Sequence, residues 1–415
     1  MKKYDVVVVG GGFAGVASAI AAAREGAKTL LVEKNNALGG SAINALVMPF
    51  MPFTTEINGE KVELSQGIFK TICNLLKERN SYDTRKFSEE ELKMILQDLA
   101  IDSGVDLLFH AYLHNVNKLG GKINSLIFST KNGPFEIQAD YFIDATGDAQ
   151  VAYLAGCPVQ LGREKDNLCQ PMTLCFRVGN VNVEKFMASW SRFQSKYKEY
   201  LSQGKFINPR EDILVFRTIV PNVLHFNTTR VVKKNPVDVV ETTEAEIIAR
   251  KQVYEVYQFI KEHADGLENS FLMSTAQEIG VRESRMIVGD YVLTEQDLRN
   301  FTKFEDGIAV CNYDIDIHNP EGSGTSHYYF PQGEFYTIPY RSLIPKTLDN
   351  LLVAGRCISS DHGAQASYRI MPTVCSIGEA AGVAVAQAVK KGVGVRDINV
   401  KELKQTLLKH GAFLG

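Results

Sequence analysis

The 415-residue chain lacks the features that would indicate a membrane span or a nucleic-acid partner. It has no run of about 18 consecutive apolar residues, so we expect no membrane-spanning helix. Its formal charge is only -3, and a chain without a basic excess is not expected to bind nucleic acid. The start, Met1-Lys2-Lys3 and then valines, is interrupted by Asp5 and by glycines before it forms a secretory signal. The expected location is therefore the cytoplasm.

Paired cysteines and clustered metal ligands are also lacking. The seven cysteines are odd in number, dispersed, and never arranged as CxxC. This pattern predicts neither a disulfide framework nor a zinc or iron–sulfur site. His110 and His114 lie in a strand-rich stretch, where an HxxxH spacing does not place both rings on one helical face. We expect no metal.

A nucleotide-binding pattern occupies the first forty residues. Val6 to Val9 are continuously apolar and β-branched, which is typical of a parallel strand buried on both faces. Gly10 permits the tight turn out of this strand, and Gly12 allows a pyrophosphate to approach the backbone. Gly15 lets the following helix, about 14–24, pack closely on the sheet.

The residues around this motif favour an adenosine ligand. The N-terminal N–H groups of this helix would point at the phosphates, and Phe13 and Ala14 are included among the cofactor-binding residues. Glu33 comes eighteen residues after Gly15, at the end of a second strand, where its carboxylate can accept both ribose hydroxyls. Its charge would oppose a 2′-phosphate, which disfavours NADP. Lys34 follows it and is included among the cofactor-binding residues.

A second glycine turn distinguishes between the two remaining dinucleotides. The first motif alone leaves NAD and FAD open. Gly39, Gly40 and Ser41 come soon after the ribose-binding glutamate, and such a turn recurs in FAD proteins, whose longer ligand extends past the first helix. FAD is therefore the expected cofactor.

The rest of the chain suggests an α/β fold with an inserted domain. Helices are predicted over 89–103, 183–202 and 239–263, and a hairpin is predicted around Gly120-Gly121. A strand over 135–143 ends at the acidic, glycine-containing run Asp144 to Asp148. We expect a Rossmann-like FAD-binding domain with a parallel sheet over 1–165 and 336–415, and an α+β cap that forms the substrate side over 166–335. The middle third has no second GxGxxG, so no separate NAD(P) domain is expected.

The last third returns to a strand–loop–helix pattern. A short buried strand is predicted over 350–355, then a helix from Pro372 to about Lys390. Pro372 suits the first turn of a helix, and Thr373 can help satisfy its open N–H groups. The small residues Gly378, Ala380, Ala381 and Gly382 provide a smooth surface for packing on the sheet. A terminal amphipathic helix is predicted over 399–410.

These C-terminal motifs closely resemble the FAD-dependent oxidoreductase family. The resemblance is found in Leu352 to His362, in Arg369 to Thr373 and in Gly378 to Gly382. Gly280 to Tyr291 and Ile338 to Pro345 are similar to the family as well. The resemblance covers essentially the whole chain and implies a glutathione-reductase-type FAD fold and redox chemistry. It does not define a substrate.

A more distant resemblance links the last third to the flavoprotein subunits of fumarate reductases and succinate dehydrogenases. His362-Gly363 and Arg369 fall in similar places. Those enzymes have a glutamate where this chain has Arg356, and they attach flavin to a histidine where this chain has 42–44, Ala-Ile-Asn. Noncovalent FAD is therefore expected.

Further cofactor contacts are expected at the ends of the central strands and at the last long helix. The start of that helix would face the flavin pyrimidine ring with its positive dipole end. Arg356 suits either a phosphate or ribityl contact or a sheet-edge salt bridge, and Asp148 suits either a ribityl contact or a helix cap. The full set is Leu113, Thr146, Gly147, Asp148, Gly355, Arg356, Pro372, Thr373 and Val374.

Four residues are catalytic candidates: His362, Arg369, Arg282 and Arg285. An arginine would bind an anionic substrate group through two hydrogen bonds, although Arg282, Glu283 and Arg285 together also suit a structural ion-pair network. His362 suits either proton transfer near the flavin or a structural hydrogen bond. Three tyrosines either line the substrate pocket or belong to the core: Tyr328, Tyr329 and Tyr340.

The expected function is hydride transfer between a small-molecule substrate and FAD. Oxygen, a quinone or a protein partner would be the electron acceptor, and the oligomeric state is left open. A flavin-dependent monooxygenase and a flavin-free binding protein of the same fold are the alternatives. The acidic charge balance disfavours a tRNA-modifying flavoprotein.

Overall fold

The computed structural model describes residues 3–415, and all elements are given within that range. The strands are β1 (Tyr4–Val9), β2 (Thr29–Val32), β3 (Thr54–Ile57), β4 (Glu60–Glu63), β5 (Tyr82–Asp83), β6 (Lys86–Phe87), β7 (Asp106–Leu108), β8 (Tyr112–Leu119), β9 (Lys122–Thr130), β10 (Gly133–Asp144), β11 (Val159–Leu161), β12 (Phe176–Gly179), β13 (Val215–Arg217), β14 (Leu224–Phe226), β15 (Phe271–Thr275), β16 (Arg285–Ile287), β17 (Gly307–Cys311), β18 (Ile315–His318), β19 (Thr325–Tyr328), β20 (Tyr336–Pro339) and β21 (Leu351–Val353).

The helices follow the same chain order. They are α1 (Phe13–Arg24), α2 (Ser41–Asn44), α3 (Ile68–Glu78), α4 (Glu89–Asp102), α5 (Gln150–Leu154), α6 (Val183–Ala188), α7 (Trp190–Ser202), α8 (Val239–His263), α9 (Glu295–Arg299), α10 (His362–Tyr368), α11 (Met371–Lys391) and α12 (Val400–Lys409), with a 3-10 turn at Tyr340–Leu343.

The largest sheet has the strand order β7-β2-β1-β10-β9-β8, and β21 also pairs with β10. Strands β7, β2, β1 and β21 run parallel to their neighbours in this sheet. Strand β10 belongs to both the antiparallel and the parallel part of this sheet. Its residues 133–138 pair antiparallel with β9, and its residues 139 and 141–144 pair parallel with β1. The predicted α/β fold with a parallel sheet is confirmed.

Strand β1 is buried on both faces, as its apolar run predicts. Val6 and Val8 belong to the core that includes helices α1 and α11. Val7 and Val9 belong to a second core on the opposite face, together with α5. The sheet therefore separates two apolar layers, and its strand ends face the site described below.

Helix α11 packs directly on helix α1 through glycines. A Cβ on Gly378 would lie 2.1 Å from the carbonyl oxygen of Ala14, and one on Gly382 would lie 2.2 Å from that of Ser18. The Ser18 hydroxyl donates to the carbonyls of Ala14 and Gly378. The two glycines therefore pack on helix α1 rather than on the sheet, whereas Ala380 and Ala381 share the apolar core with strands β1, β10 and β21.

Helix α11 is long and apolar enough to cross a membrane by length and composition alone. Within its most apolar window, however, 89% of the residues are buried inside the protein. Its packing on α1 explains this apolar composition, and we interpret it as a core helix.

The middle third forms a sheet of its own in the order β13-β14-β12-β15, with antiparallel pairing throughout. Helices α6, α7 and α8 contribute to its separate apolar core. The single helix predicted over 183–202 is wrong, because the backbone is interrupted at Ser189 between α6 and α7. The division into 1–165 with 336–415 and 166–335 stays a prediction.

A buried carboxyl group connects helix α11 to helix α3. Glu379 is 3% exposed, and its Oε2 accepts a hydrogen bond of 3.0 Å from the N–H of Ile68, where α3 begins. Burial raises the pKa of Glu379 to about 7, although this hydrogen bond and Arg24 act in the opposite direction. The folded protein therefore holds a proton that the unfolded chain releases at lower pH.

We predict that Glu379→Gln removes a pH dependence of stability. A raised carboxyl pKa gives stability at low pH that is lost as the pH rises through about 7, here by roughly 3 kcal/mol. The amide can still accept from Ile68, so the variant should be more stable than wild type at about pH 8 and similar to it at about pH 5. Denaturant unfolding measures both, with Glu60→Gln on exposed β4 as control. If the free energies of unfolding of variant and wild type differ by the same amount at the two pH values, the raised pKa of Glu379 is contradicted.

Candidate functional site

The first glycine turn joins strand β1 to helix α1 by direct backbone contact. Gly10 has a φ of 101°, which side-chain-bearing residues rarely adopt. A Cβ on Gly10 would lie 2.5 Å from the carbonyl oxygen of Ala145, and one on Gly15 would lie 1.8 Å from that of Gly10. The turn, the helix and the end of β10 are thereby held at one edge of the sheet.

The N-terminus of helix α1 has the open N–H groups that an anion needs. Gly12 is the N-cap, no side chain caps the helix, and its first turn contains no acidic residue. The Phe13 ring packs against Phe50 and Phe69, at centroid distances of 5.6 and 6.3 Å. Only the backbone of Phe13 is therefore placed to contact a phosphate, together with Ala14.

The second glycine turn lies directly on the first. Gly39 donates a hydrogen bond of 2.8 Å from its N–H to the carbonyl of Gly11. A Cβ on Gly40 would come within 2.8 Å of the Gly12 Cα, and α2 begins immediately afterwards at Ser41. The two motifs thus form one continuous cradle of backbone, which fits an extended dinucleotide.

Glu33 supports this cradle from the end of β2. Its Oε2 accepts from the Gly11 N–H at 2.6 Å, and its Oε1 accepts from the Asn35 N–H at 2.8 Å. A carboxylate has about four acceptor positions, so capacity remains for ribose hydroxyls. The neighbouring Lys34 forms an ion pair with Glu278 of the middle third at 3.3 Å.

The end of β10 is organised by a fully buried carboxylate. Asp144 accepts hydrogen bonds from the N–H and hydroxyl groups of Thr146 and from the N–H of Ala152. The Thr146 hydroxyl in turn accepts from Gln150 N–H at the start of α5. The interpretation of Asp148 as a helix cap is wrong, because Thr146 and Asp144 satisfy these N–H groups.

Asp148 instead forms an ion pair with Arg356. The distance from Arg356 Nη2 to Asp148 Oδ1 is 2.8 Å, and Ser284 donates to the same oxygen at 2.7 Å. The guanidinium lies over Gly147, where an added Cβ would be 2.9 Å from its Cζ. Arg356 therefore forms the predicted salt bridge. Its buried Nε has no acceptor within residues 3–415 and fits an oxygen of the cofactor.

The remaining predicted cofactor residues lie around the same cradle. Gly355, after β21, approaches the Ala14 side chain, with an added Cβ at 3.3 Å. Leu113 is buried on β8, and its carbonyl accepts from Gln150. Both positions belong to the strand ends that surround the first turn.

Helix α11 begins beside the cradle without a side-chain cap. Pro372 is its second residue, and Ile370 is the N-cap. The prediction that Thr373 satisfies the open N–H groups is wrong. Its side chain lies by the thiol of Cys311 instead. Val374 is buried next to it. The uncapped N–H groups leave the positive end of the α11 dipole unopposed.

His362 is fixed by a buried carboxylate. Its Nδ1 lies 2.7 Å from Oε1 of Glu283, a residue with no exposed surface. The other carboxylate oxygen of Glu283 accepts from the N–H of Gln170 at 2.8 Å. This pairing sets the ring orientation, so Glu283 is a positioning residue for His362.

The alternative ion-pair network among residues 282–285 is not formed. Glu283 pairs with His362, and Arg285 stacks on the ring of Tyr153 with its Cζ 3.8 Å from the centroid. Arg282 is directed toward the middle third. The structure therefore separates Arg285 from the other three catalytic candidates.

Several polar residues of this region were missed by the sequence analysis. Asp316 lies beside Arg369, with 3.5 Å between Oδ2 and Nη2, and beside His318, with 3.4 Å to Nε2. Tyr313 donates to the same oxygen at 3.2 Å. No local motif marks this group, because a hairpin, β18 and β19, brings it against α10.

The three tyrosines considered for the pocket have different environments. Tyr340 is buried and donates to the carbonyl of Val395, so it belongs to the core. Tyr329 is 70% exposed and stacks on His327. Tyr328 is half-buried under the guanidinium of Arg299, at 4.3 Å.

One group of potential metal ligands occurs in the described chain: Asp314, Asp316 and His327. His327 lies opposite Asp316 across the β18–β19 hairpin, and its Nδ1 is 2.6 Å from Asp314. A hydrogen bond between His327 and Asp314 accounts for this arrangement. His110 and His114 are not part of it.

Comparison with known proteins gives a family match across the chain and short matches to curated proteins. A family model described as FAD dependent oxidoreductase matches residues 5–407. Pseudooxynicotine dehydrogenase of a Pseudomonas species is 48% identical over 61 residues, which is 15% of this chain and 10% of that protein. Dihydrolipoyl dehydrogenase of Trypanosoma brucei brucei is 56% identical over 48 residues, 12% and 10% of the two chains. The matches thus span about a tenth of these curated relatives.

Solved structures resemble the chain at low sequence identity. A geranylgeranyl bacteriochlorophyll reductase-like protein of Thermoplasma acidophilum is 15% identical, with a TM-score of 0.48. The alignment covers 99% of this chain and 84% of that one.

We predict that Gly40→Ala destabilises the protein by separating the two glycine turns. Gly40 combines a φ of 53° with a ψ of -126°, a region nearly exclusive to glycine, so the variant should cost roughly 1–3 kcal/mol. Gly120→Ala is the matched control, because its φ is 57° and nothing lies within 4 Å of an added Cβ. Thermal and denaturant unfolding compare the two variants. If Gly40→Ala loses no more stability than Gly120→Ala, the close contact between Gly40 and Gly12 is contradicted.

Proposed function

The chain belongs to the FAD-dependent oxidoreductase family, and we propose that it binds one FAD noncovalently and moves hydride between that flavin and a small-molecule substrate. The cradle made by the two glycine turns over the uncapped N-terminus of α1 is the observation that supports this most. The flavin, when bound, supplies the redox chemistry, while the protein supplies orientation and electrostatics.

The residues present fit an extended FAD. Glu33 is placed for the adenosine ribose, and the N-terminus of α1 is placed for the pyrophosphate. The uncapped start of α11 offers a positive dipole end, which stabilises negative charge nearby by about 0.3–1 kcal/mol at exposed sites and more when partly buried. Positions 42–44 form helix α2 as Ala-Ile-Asn, which supports noncovalent attachment.

The substrate-binding side of the site would be formed where the middle third of the chain meets the two glycine turns and the start of helix α11. Gln277 and Glu278 donate from their N–H groups to the carbonyl of Asn44, directly after the second glycine turn. Ser284 donates to Asp148 from the same segment. His362, oriented by Glu283, is the proposed group for proton transfer with the substrate.

The proposed reaction uses no internal NAD(P)-binding domain. Gly120 and Gly121 lie in the turn of the β8–β9 hairpin rather than at the start of a helix. The sheet of the middle third is antiparallel, unlike the parallel sheet that such a domain needs. The cytoplasmic location stays a prediction, and the seven buried free thiols support it.

We predict that Glu33→Arg weakens FAD binding at least about tenfold, because charge-assisted hydrogen bonds are worth about 1.5–3 kcal/mol. Flavin absorbance after reconstitution and fluorescence titration give the affinity. Glu33→Gln keeps a hydrogen-bond acceptor and should therefore lose less FAD affinity than Glu33→Arg. Glu60→Arg on exposed β4 controls for the added positive charge. Wild-type protein without a flavin band after incubation with FAD would refute the proposal, and unchanged affinity in Glu33→Arg would refute the role of Glu33.

We also predict that His362→Ala slows flavin reduction by about 10²–10⁴-fold while FAD remains bound. Stopped-flow absorbance would follow reduction by a panel of hydroxy acids and sugars, and reoxidation by fumarate. His410→Ala at the end of α12 is the matched histidine control. An unchanged rate would exclude His362 as the proton-transfer group. Flavin reduction by NAD(P)H without substrate oxidation would favour the monooxygenase alternative.

A further inference from the structure

A cluster of charged side chains lies where the middle third meets the start of helix α11. It consists of Arg230, Arg282, Asp316, His318 and Arg369 and is called the arginine cluster below. Arg230, Asp316 and His318 are buried, with exposures of 1, 7 and 8%. The two other arginines are half-buried, so a ligand can reach them.

The arginine cluster contains more positive than negative charge. Arg230 is balanced by Glu211, with 3.0 Å between Nη1 and Oε2. Arg369 has only Asp316, at 3.5 Å, and its buried Nε has no acceptor within residues 3–415. The guanidinium of Arg282 forms no ion pair in the described part of the chain. One positive charge therefore remains without a counterion.

Arg282 is held in place by neutral acceptors. Its Nη1 donates to the carbonyl of Pro171 at 2.7 Å and to the hydroxyl of Thr173 at 2.6 Å. Its Nη2 lies 3.4 Å from the side-chain oxygen of Asn227. Burial, followed by the positive charge of Arg369, lowers the pKa of Arg282 to about 9. The side chain is oriented and lacks the anion that would stabilise its charge.

His318 adds a hydrogen-bond donor to this cluster without adding charge. Arg230 Nη2 lies 3.2 Å from Nδ1 of the ring, and since an arginine can only donate, Nδ1 is the acceptor. The proton of the neutral ring is thereby assigned to Nε2, which lies 3.4 Å from Oδ2 of Asp316. Burial, and then the charge of Arg282, lower the pKa of His318 to about 3, against the effect of Asp316.

The arginine cluster adjoins the elements assigned to the flavin. Arg369 is the C-cap of α10, three residues before Pro372. Arg282 comes two residues after Gly280, where an added Cβ would lie 3.4 Å from the Cβ of Ala45. Ala45 directly follows helix α2 and the second glycine turn. The cluster thus lies between the end of that turn and the start of α11.

We propose that Arg282 and Arg369 bind a carboxylate group of the substrate, while His318 holds Asp316 in place from Nε2. This inference rests on the proposed redox function, and it assigns the substrate to carboxylate-bearing small molecules. Asp316 is a positioning residue, because it forms an ion pair with Arg369 and accepts a hydrogen bond from the hydroxyl of Tyr313. Carboxylates match the planar fork of a guanidinium through two parallel hydrogen bonds.

The test is calorimetric titration of the full-length FAD-loaded protein with acetate, malonate and succinate. Neutral malonamide and sulfate are the comparison ligands. At least one carboxylate should bind more tightly than sulfate, and malonamide should not bind. Arg282→Gln and Arg369→Gln should each weaken carboxylate binding by roughly 10- to 100-fold, since one charge-assisted hydrogen bond is worth about 1.5–3 kcal/mol.

Arg250→Gln is the matched control and should keep wild-type affinity, because its exposed guanidinium pairs with Glu246 on helix α8, outside the cluster. His318→Gln, which keeps a donor near Nε2, should bind more tightly than His318→Ala. Flavin content and melting temperature are measured for every variant. Titrating the wild-type chain without FAD tests the cluster separately, so a failure to bind FAD refutes only the redox proposal. Binding of malonamide, tighter binding of sulfate, or unchanged affinity in both arginine variants would overturn the carboxylate assignment.

Discussion

Backbone contact around helix α1 is the constraint on which the rest of the structure depends. At its start, Gly15 lies against Gly10, and along its length Gly378 and Gly382 of α11 lie against its carbonyl oxygens. A Cβ at any of these positions would come within about 2.2 Å of an oxygen. These contacts fix the direction of helix α1. They thereby also fix the direction of the open N–H groups at its start, beside the second glycine turn.

The middle third is joined to this frame at the same edge of the sheet. Lys34 pairs with Glu278, Asn44 accepts N–H groups from 277–278, and Asp148 accepts from Ser284. These contacts place Glu283 beside His362 and position Arg282 near the start of α11. The substrate side is therefore built from residues far apart in sequence, on a frame that the glycine contacts keep rigid.

The sequence predicts best what depends on neighbouring residues. The buried strand β1, the hairpin around Gly120-Gly121 and helix α8 over Val239–His263 all follow from local patterns. The break at Ser189 was missed because the helical periodicity continues across it. The pairing of His362 with Glu283 and the position of His318 were missed for another reason. Tertiary packing brings these residues together, and no local spacing encodes it.

The central claim is that both glycine turns form one FAD site above helix α1. The most direct test is a crystal structure of the protein grown with FAD. We expect adenosine beside Glu33 and pyrophosphate oxygens at about 3 Å from the N–H groups at the start of α1. Density for FAD elsewhere, with the α1 N-terminus contacting only solvent, would contradict it.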